Sequence, residues 1–93
     1  MSYEITDYSY HRAKILGVRI IRSEDGTHKI DVYDKHFKYI TSIGALGYSD
    51  FPHYVLSHGI DYALKKREAY KSRHENDRHV ANSAGYYADK ILW

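Results

Sequence analysis

Ninety-three residues with 43% apolar and 28% charged content describe one folded domain, residues 1–93, with a thin core. A net charge of +2 is weak for a protein that packs a genome, and the absence of cysteine excludes disulfide staples and thiolate zinc sites. No apolar run approaches the roughly 20 residues of a membrane span, and the opening Met-Ser-Tyr-Glu-Ile-Thr-Asp lacks a signal peptide's basic and apolar regions.

In chain order, residues 1–11 read as an extended N-terminal arm. Residues 13–22 then carry Ile15, Leu16, Val18, Ile20 and Ile21, β-branched and dense enough for a largely covered strand. Asp25-Gly26 between two strand patterns signals a hairpin. Residues 28–34 alternate, with Ile30 and Val32 on one face and Lys29, Asp31 and Tyr33 on the other. Asp34-Lys35-His36 forms a second turn, and residues 37–43 alternate again, with Phe37, Tyr39, Thr41 and Ile43 opposite Lys38, Ile40 and Ser42. This predicts a three-stranded antiparallel meander with one face needing a cover.

The second half supplies it. Ser49 or Asp50 caps a short helix that accepts Pro52 in its first turn and ends at His58-Gly59. A second helix over 60–74 has Ile60, Ala63, Leu64, Arg67 and Tyr70 on its inward line. Residues 75–82 are polar and form a loop. Ser83 caps a last helix whose inner face is Ala84, Tyr87, Ala88, Ile91 and Leu92. The expected class is therefore α+β: a small N-terminal sheet covered by two or three C-terminal helices. Trp93 follows the inner stripe and is expected to close the core of its own domain, with part of its edge left for a partner.

Chemistry is sparser than architecture. The seven histidines invite a metal reading, through Asp50 with His53 and His58 or through His74 with His79. His53 and His58 are five residues apart, which does not stack them on one helix face. Neither metal nor cofactor is expected. Ser49, Asp50 and His53 contain the letters of a hydrolase, but without a Gly-x-Ser-x-Gly elbow or a glycine-rich phosphate cradle. No enzyme activity is expected. Eleven tyrosines against two phenylalanines suit either the wet margins of a small core or an interface.

Arg67 sits on the apolar stripe between Leu64 and Tyr70, where an unpaired charge would be costly. The expectation is a fold-stabilising cluster of Arg67, Asp50, Tyr70 and His74. The helix around it is mildly basic, and Lys65, Lys66, Lys71, Arg73 and Arg78 could contact phosphates, with Tyr70 stacking on a base.

The order Gly-Tyr-Ser-Asp-Phe, Lys-Arg-x-x-Tyr-x-x-Arg-His and Ser-x-Gly-Tyr-x-Ala-x-x-Ile-Leu-Trp resembles a family of small proteins encoded by large DNA viruses of algae and amoebae and by some bacteriophages. The similarity runs from Val18 to Trp93 and carries Gly47, Tyr48, Ser49, Asp50, Lys66, Arg67, Tyr70, Arg73, His74, Gly85, Tyr86, Leu92 and Trp93. It implies a protein carried in the virion, or otherwise in the host cytoplasm during infection, and assigns no reaction. The expected role is a minor capsid or capsid-associated component that binds a larger coat protein. Its interface would draw on Tyr48, Asp50, Arg67, Tyr70, Arg73, His74, Gly85, Tyr86, Tyr87 and Trp93. The alternative is an internal nucleic-acid-binding protein using the basic helix over 65–78.

Overall fold

The structure, a computed structural model, describes residues 3–93. In chain order it comprises helix α1 (Asp7–Leu16), strands β1 (Arg19–Arg22), β2 (His28–Tyr33) and β3 (Tyr39–Ala45), and helices α2 (Phe51–His58), α3 (Ile60–Arg73) and α4 (Ala84–Ile91). The strands form one antiparallel sheet in the order β1-β2-β3, so the fold is α+β as its patterning predicts.

The expected N-terminal arm is helical from Asp7, and the expected strand over 13–22 is cut in two. Thr6 caps α1 by accepting the Ser9 amide, and Gly17 ends it in the left-handed region at φ 74°. The amides of Gly17 and Val18 then close onto the carbonyls of Lys14 and Ala13. That paired closure fixes residues 13–16 as a last helical turn in spite of Ile15 and Leu16. Only Arg19–Arg22 remain extended, and Ile15 is left exposed.

The sheet keeps the expected alternation along β2, but an irregularity between Val32 and Tyr33 breaks it in β3. Tyr39, expected to share a face with Ile43, pairs with Tyr33 and reaches the Ser42 hydroxyl on the outer face, while Ile40 packs against the core. Ile20 pairs with Val32, and Ile30 with Ile43, placing all four on the inner face beneath α4. Asp25 organises the first hairpin by accepting the amides of Thr27 and His28, both at 2.8 Å, around Gly26. Four stacked β-branched side chains, joined by Ala13, Tyr87, Ala88, Ile91 and Leu92, form the core. Burying each of the larger ones contributes roughly 1.5–3 kcal/mol.

Helix α4 is also held by α1. The Ser9 hydroxyl donates to the Ile91 carbonyl at 2.9 Å, and Arg12 Nε donates to the Lys90 carbonyl at 2.7 Å. These side chains satisfy carbonyls that a helix C-terminus leaves without intrahelical partners.

Helices α2 and α3 form a hairpin about Gly59 and pack chiefly on each other. Their crossing explains a second departure. Ala63 is fully buried where the helices meet, whereas Ile60 and Leu64, expected to point inward, are 52% and 41% exposed. The stripe of α3 that finds a neighbour is Ala63, Arg67 and Tyr70, because its neighbour is α2 and Trp93 and not the sheet.

Candidate functional site

Between the end of the β2–β3 hairpin and helices α3 and α4 lies an open cleft of about 700 Å³. One wall comes from Lys29, Gly44 and Ala45, continuing into Tyr48 and Ser49. The opposite wall is the line Lys66, Tyr70, Arg73 and His74 of α3. Gly85, Leu92 and Trp93 close the third side. Each of the three sequence segments singled out above thus lends residues to this one depression.

The glycines explain how closely the walls approach. Gly44 has φ 75°, and a Cβ there would come within 2.8 Å of both the Leu92 and Lys29 side chains. Gly85 lets α4 pass the Asp77 backbone, whose carbonyl oxygen would lie 3.0 Å from an added Cβ. Residues with side chains would force both walls apart.

The aromatic floor is self-stacked. Trp93 lies nearly parallel to Tyr70, with ring centroids 4.4 Å apart and planes at 8°, and Tyr70 also stacks on His74 at 4.3 Å. Tyr54 meets Trp93 at 6.2 Å and Tyr62 at 5.5 Å. Trp93 is half-buried and packs against the core of its own chain. Burial, with Asp89 and Asp77 nearby, pushes the Tyr70 phenol up to about 12. Tyr48, at the rim, is 76% exposed.

The cations divide into two groups. Lys66 reaches over the Tyr62 and Tyr54 rings at 5.4 and 5.8 Å, and Arg73 lines the cleft beside it. Neither has a carboxylate partner among the described residues. Lys71 and Arg78 are committed elsewhere. Lys71 donates to the buried Asp89 at 2.7 Å, and Arg78 lies 3.6 Å from the same carboxylate while pairing with Glu75 at 2.7 Å. The basic set Lys65, Lys66, Lys71, Arg73 and Arg78 therefore does not form one anion-binding row. Two of its five members neutralise Asp89.

The expected cluster of Arg67 with Asp50 is not formed. Arg67 stacks over Phe51, its guanidinium carbon 4.2 Å from the ring centroid. Asp50 is fully buried and is served by other groups. It accepts from Lys29 Nζ at 3.0 Å, from the Tyr3 hydroxyl at 2.7 Å and from the His53 amide, with His53 Nδ1 at 2.8 Å. Burial pushes the Asp50 carboxyl up, but Lys29, Tyr3 and His53 together override it and hold it below the usual carboxylate range. Burial and that same carboxylate push the Tyr3 phenol up. Asp50 does cap α2, as its position in the sequence predicts.

Of the other residues expected at an interface, Tyr86 packs against the core with Lys90 over its ring at 5.7 Å. Tyr87 is buried and donates to Asn82. Both are structural here and stand apart from the cleft. Tyr48, Tyr70, Arg73, His74, Gly85 and Trp93 are brought together.

Sequence reasoning missed Lys29 and Asp89. Alternation puts Lys29 on the outer face of β2, yet its ammonium lies over the Tyr3 ring and pairs with Asp50 at the cap of α2, leaving 3% exposed. Asp89 falls in the apolar stretch Tyr87-Ala88-Asp89-Lys90-Ile91, and a buried carboxylate on a core helix was the one available signal. Among the described residues, no group of three His, Asp or Glu side chains is placed to hold a metal ion. Nor, among the described residues, is any helix long and apolar enough to cross a membrane.

The fold and cleft together define a small α+β domain with a concave, mixed aromatic and cationic surface. No family model matches the chain, and comparison with curated proteins and with solved structures gives no match.

Proposed function

We propose that the chain is a non-catalytic docking module whose cleft receives a segment of a larger protein, the setting being a virion and the partner a coat component. The observation that carries this reading is the convergence of all three motif segments on the cleft. A cleft of mixed polarity with a few convergent polar groups suits a bound segment, and exposed tyrosine beside arginine is the composition of interface anchors. The setting rests on the resemblance of those motifs.

The self-stacked floor favours a protein segment over nucleic acid at this site. Tyr70 already stacks on Trp93 and His74, so the cleft offers ring edges and unpaired cations more than open ring faces. Base recognition needs open faces and a continuous row of cations, and Lys71 and Arg78 are withdrawn from that row.

A photo-crosslinking amino acid placed at Tyr48 tests this directly. In particles of the encoding virus, the expected product is a single adduct with a coat component, lost when Arg73 is replaced by Glu. Absence of the protein from purified particles, or adducts with nucleic acid alone, refutes the reading.

A further inference from the structure

The outer face of the sheet, which meets the cleft at Ser42, carries a row of partly exposed aromatic side chains away from that edge. Phe37 and Tyr39 are 57% and 56% exposed. Tyr33 lies between them, its centroid 6.5 Å from Phe37 and 5.8 Å from Tyr39. The Tyr39 hydroxyl is 2.7 Å from the Ser42 hydroxyl, which donates to Asp31 at 2.6 Å. That bond ties the Tyr39 side chain back to β3 while the residue stays more than half exposed.

Phe37 is held in an unusual way. Its φ is 61°, in the left-handed region, which costs a bulky residue stability that glycine would not lose. Asp34 fixes the turn by accepting the amides of His36 and Lys38 at 2.8 and 2.9 Å. The strained backbone points a phenyl ring outward beside Arg19, whose guanidinium sits 4.3 Å from the ring centroid.

The charges around the row are unevenly used. Asp34 is spent on backbone amides, which hold its carboxyl low, and Asp31 is bonded to Ser42. Arg19, Lys35 and Lys38 have no carboxylate partner among the described residues, and all three are exposed. Exposed aromatic rings, with Arg19 over one face of Phe37 and further cations at the margin, match what a single-stranded nucleic acid requires: stacking for the bases and positive charge for the phosphates.

We propose that this outer face, with Phe37 and Tyr39 as stacking platforms and Arg19, Lys35 and Lys38 as phosphate contacts, binds single-stranded nucleic acid without sequence preference. The proposal stands independently of the cleft and would give the module one surface for a protein and another for a polyanion. With few cations, binding is modest and depends on salt.

The test is fluorescence anisotropy of a labelled oligothymidylate of about ten nucleotides titrated with the full chain. The expected dissociation constant is in the tens of micromolar at low salt. The slope of log K against log salt is expected to be about −2, as three phosphate contacts on a single strand give. Phe37→Gly should weaken binding about tenfold, the loss of one stacked base, while its melting temperature stays the same or rises because the turn is relieved. Tyr39→Leu should weaken binding similarly with the strand intact. A duplex of equal length should bind at least tenfold more weakly.

Unchanged affinity in both variants overturns the proposal, as does equal affinity for the duplex. So does a wild-type protein that binds no oligonucleotide at about 500 μM, or one that sediments with anionic vesicles and ignores the oligonucleotide.

Discussion

Replacing Lys29 by Met isolates the buried ion pair that anchors α2 to the sheet. The substitution keeps an unbranched chain of similar volume against Gly44 and removes only the charge. Lys29 and Asp50 side chains are 4% and 0% exposed and 3.0 Å apart. Breaking a buried pair by removing one partner costs about 3–5 kcal/mol, because the other charge is stranded. Tyr3 and His53 still serve Asp50, so the lower end, about 3 kcal/mol, is expected. A domain of this size holds roughly 5–14 kcal/mol in total, and each kcal/mol moves its melting temperature by about 4–8 °C. The variant should therefore melt at least about 12 °C below the wild type. Lys29→Met with Asp50→Asn should recover part of that loss, since Asn keeps the helix cap and removes the stranded charge. Chemical denaturation of the four proteins gives the coupling energy, expected above about 1.5 kcal/mol. The pH dependence has a defined sign. The folded Asp50 pKa is depressed, so its stabilisation is complete above the ordinary carboxylate range and is lost as pH falls through the folded value. The wild type should lose stability on acidification below about pH 4 more steeply than the double variant. Additive single effects, or a Lys29→Met melting temperature within about 2 °C of the wild type, would refute this account of the pair.

Other outcomes follow from the same geometry. Arg67→Ala should cost only about 0.5–1 kcal/mol by urea denaturation, as expected for a stacked cation without a buried carboxylate partner; a loss above about 2 kcal/mol would show that it neutralises a hidden charge. Trp93→Ala removes a half-buried ring and its parallel contact with Tyr70, and should cost about 2–3 kcal/mol without unfolding the domain; circular dichroism and thermal melting decide it. Because the Tyr70 pKa is raised to about 12, its contribution is complete below pH 10 and is lost as pH rises from there through 12; the ultraviolet difference between wild type and Tyr70→Phe should show one late-titrating phenol. Gly44→Ala combines a positive φ with contacts at 2.8 Å and should destabilise by more than about 2 kcal/mol, whereas Gly17→Ala, which meets nothing within 4 Å, pays only for its positive φ and should cost about 1.

The sheet was legible because its signals are local. Asp25-Gly26 sets the hairpin, and the alternation of Ile30 with Val32 sets the buried face. Ser83 and Asp50 announced two helix starts through their capping chemistry. The first helix was not legible as such, because Ile15 and Leu16 carry strand propensity and only the Thr6 and Gly17 caps override it. The inward line of α3 was misassigned by two residues for a different reason. Periodicity identifies a stripe, but the neighbour that covers it is a tertiary choice, and α2 selected Ala63 and Arg67 over Ile60 and Leu64. At the site, the residues of the cleft were individually visible as motif positions. Their charge partners were not, since Lys29 meets Asp50 across 21 residues and Lys71 meets Asp89 across 18. Spacing along a chain does not encode pairings at that range.

The bonds from Ser9 and Arg12 to the carbonyls at the end of α4 set an order on events during synthesis. Ser9 must wait for Ile91, 82 residues further along, before its hydroxyl finds the acceptor seen in the structure. Closing a chain over that span costs about 4 kcal/mol in loop entropy beyond a constant. The meander, although contiguous, lacks most of its apolar cover until α4 arrives, which leaves Ile30, Val32 and Ile43 facing water. Folding should therefore be a single late step, with no protected intermediate on the ribosome. Stalled nascent chains that stop before Ala84 should be cut throughout by a protease that spares the complete domain. Protection of residues 19–45 in such chains would mean that the sheet forms without its lid.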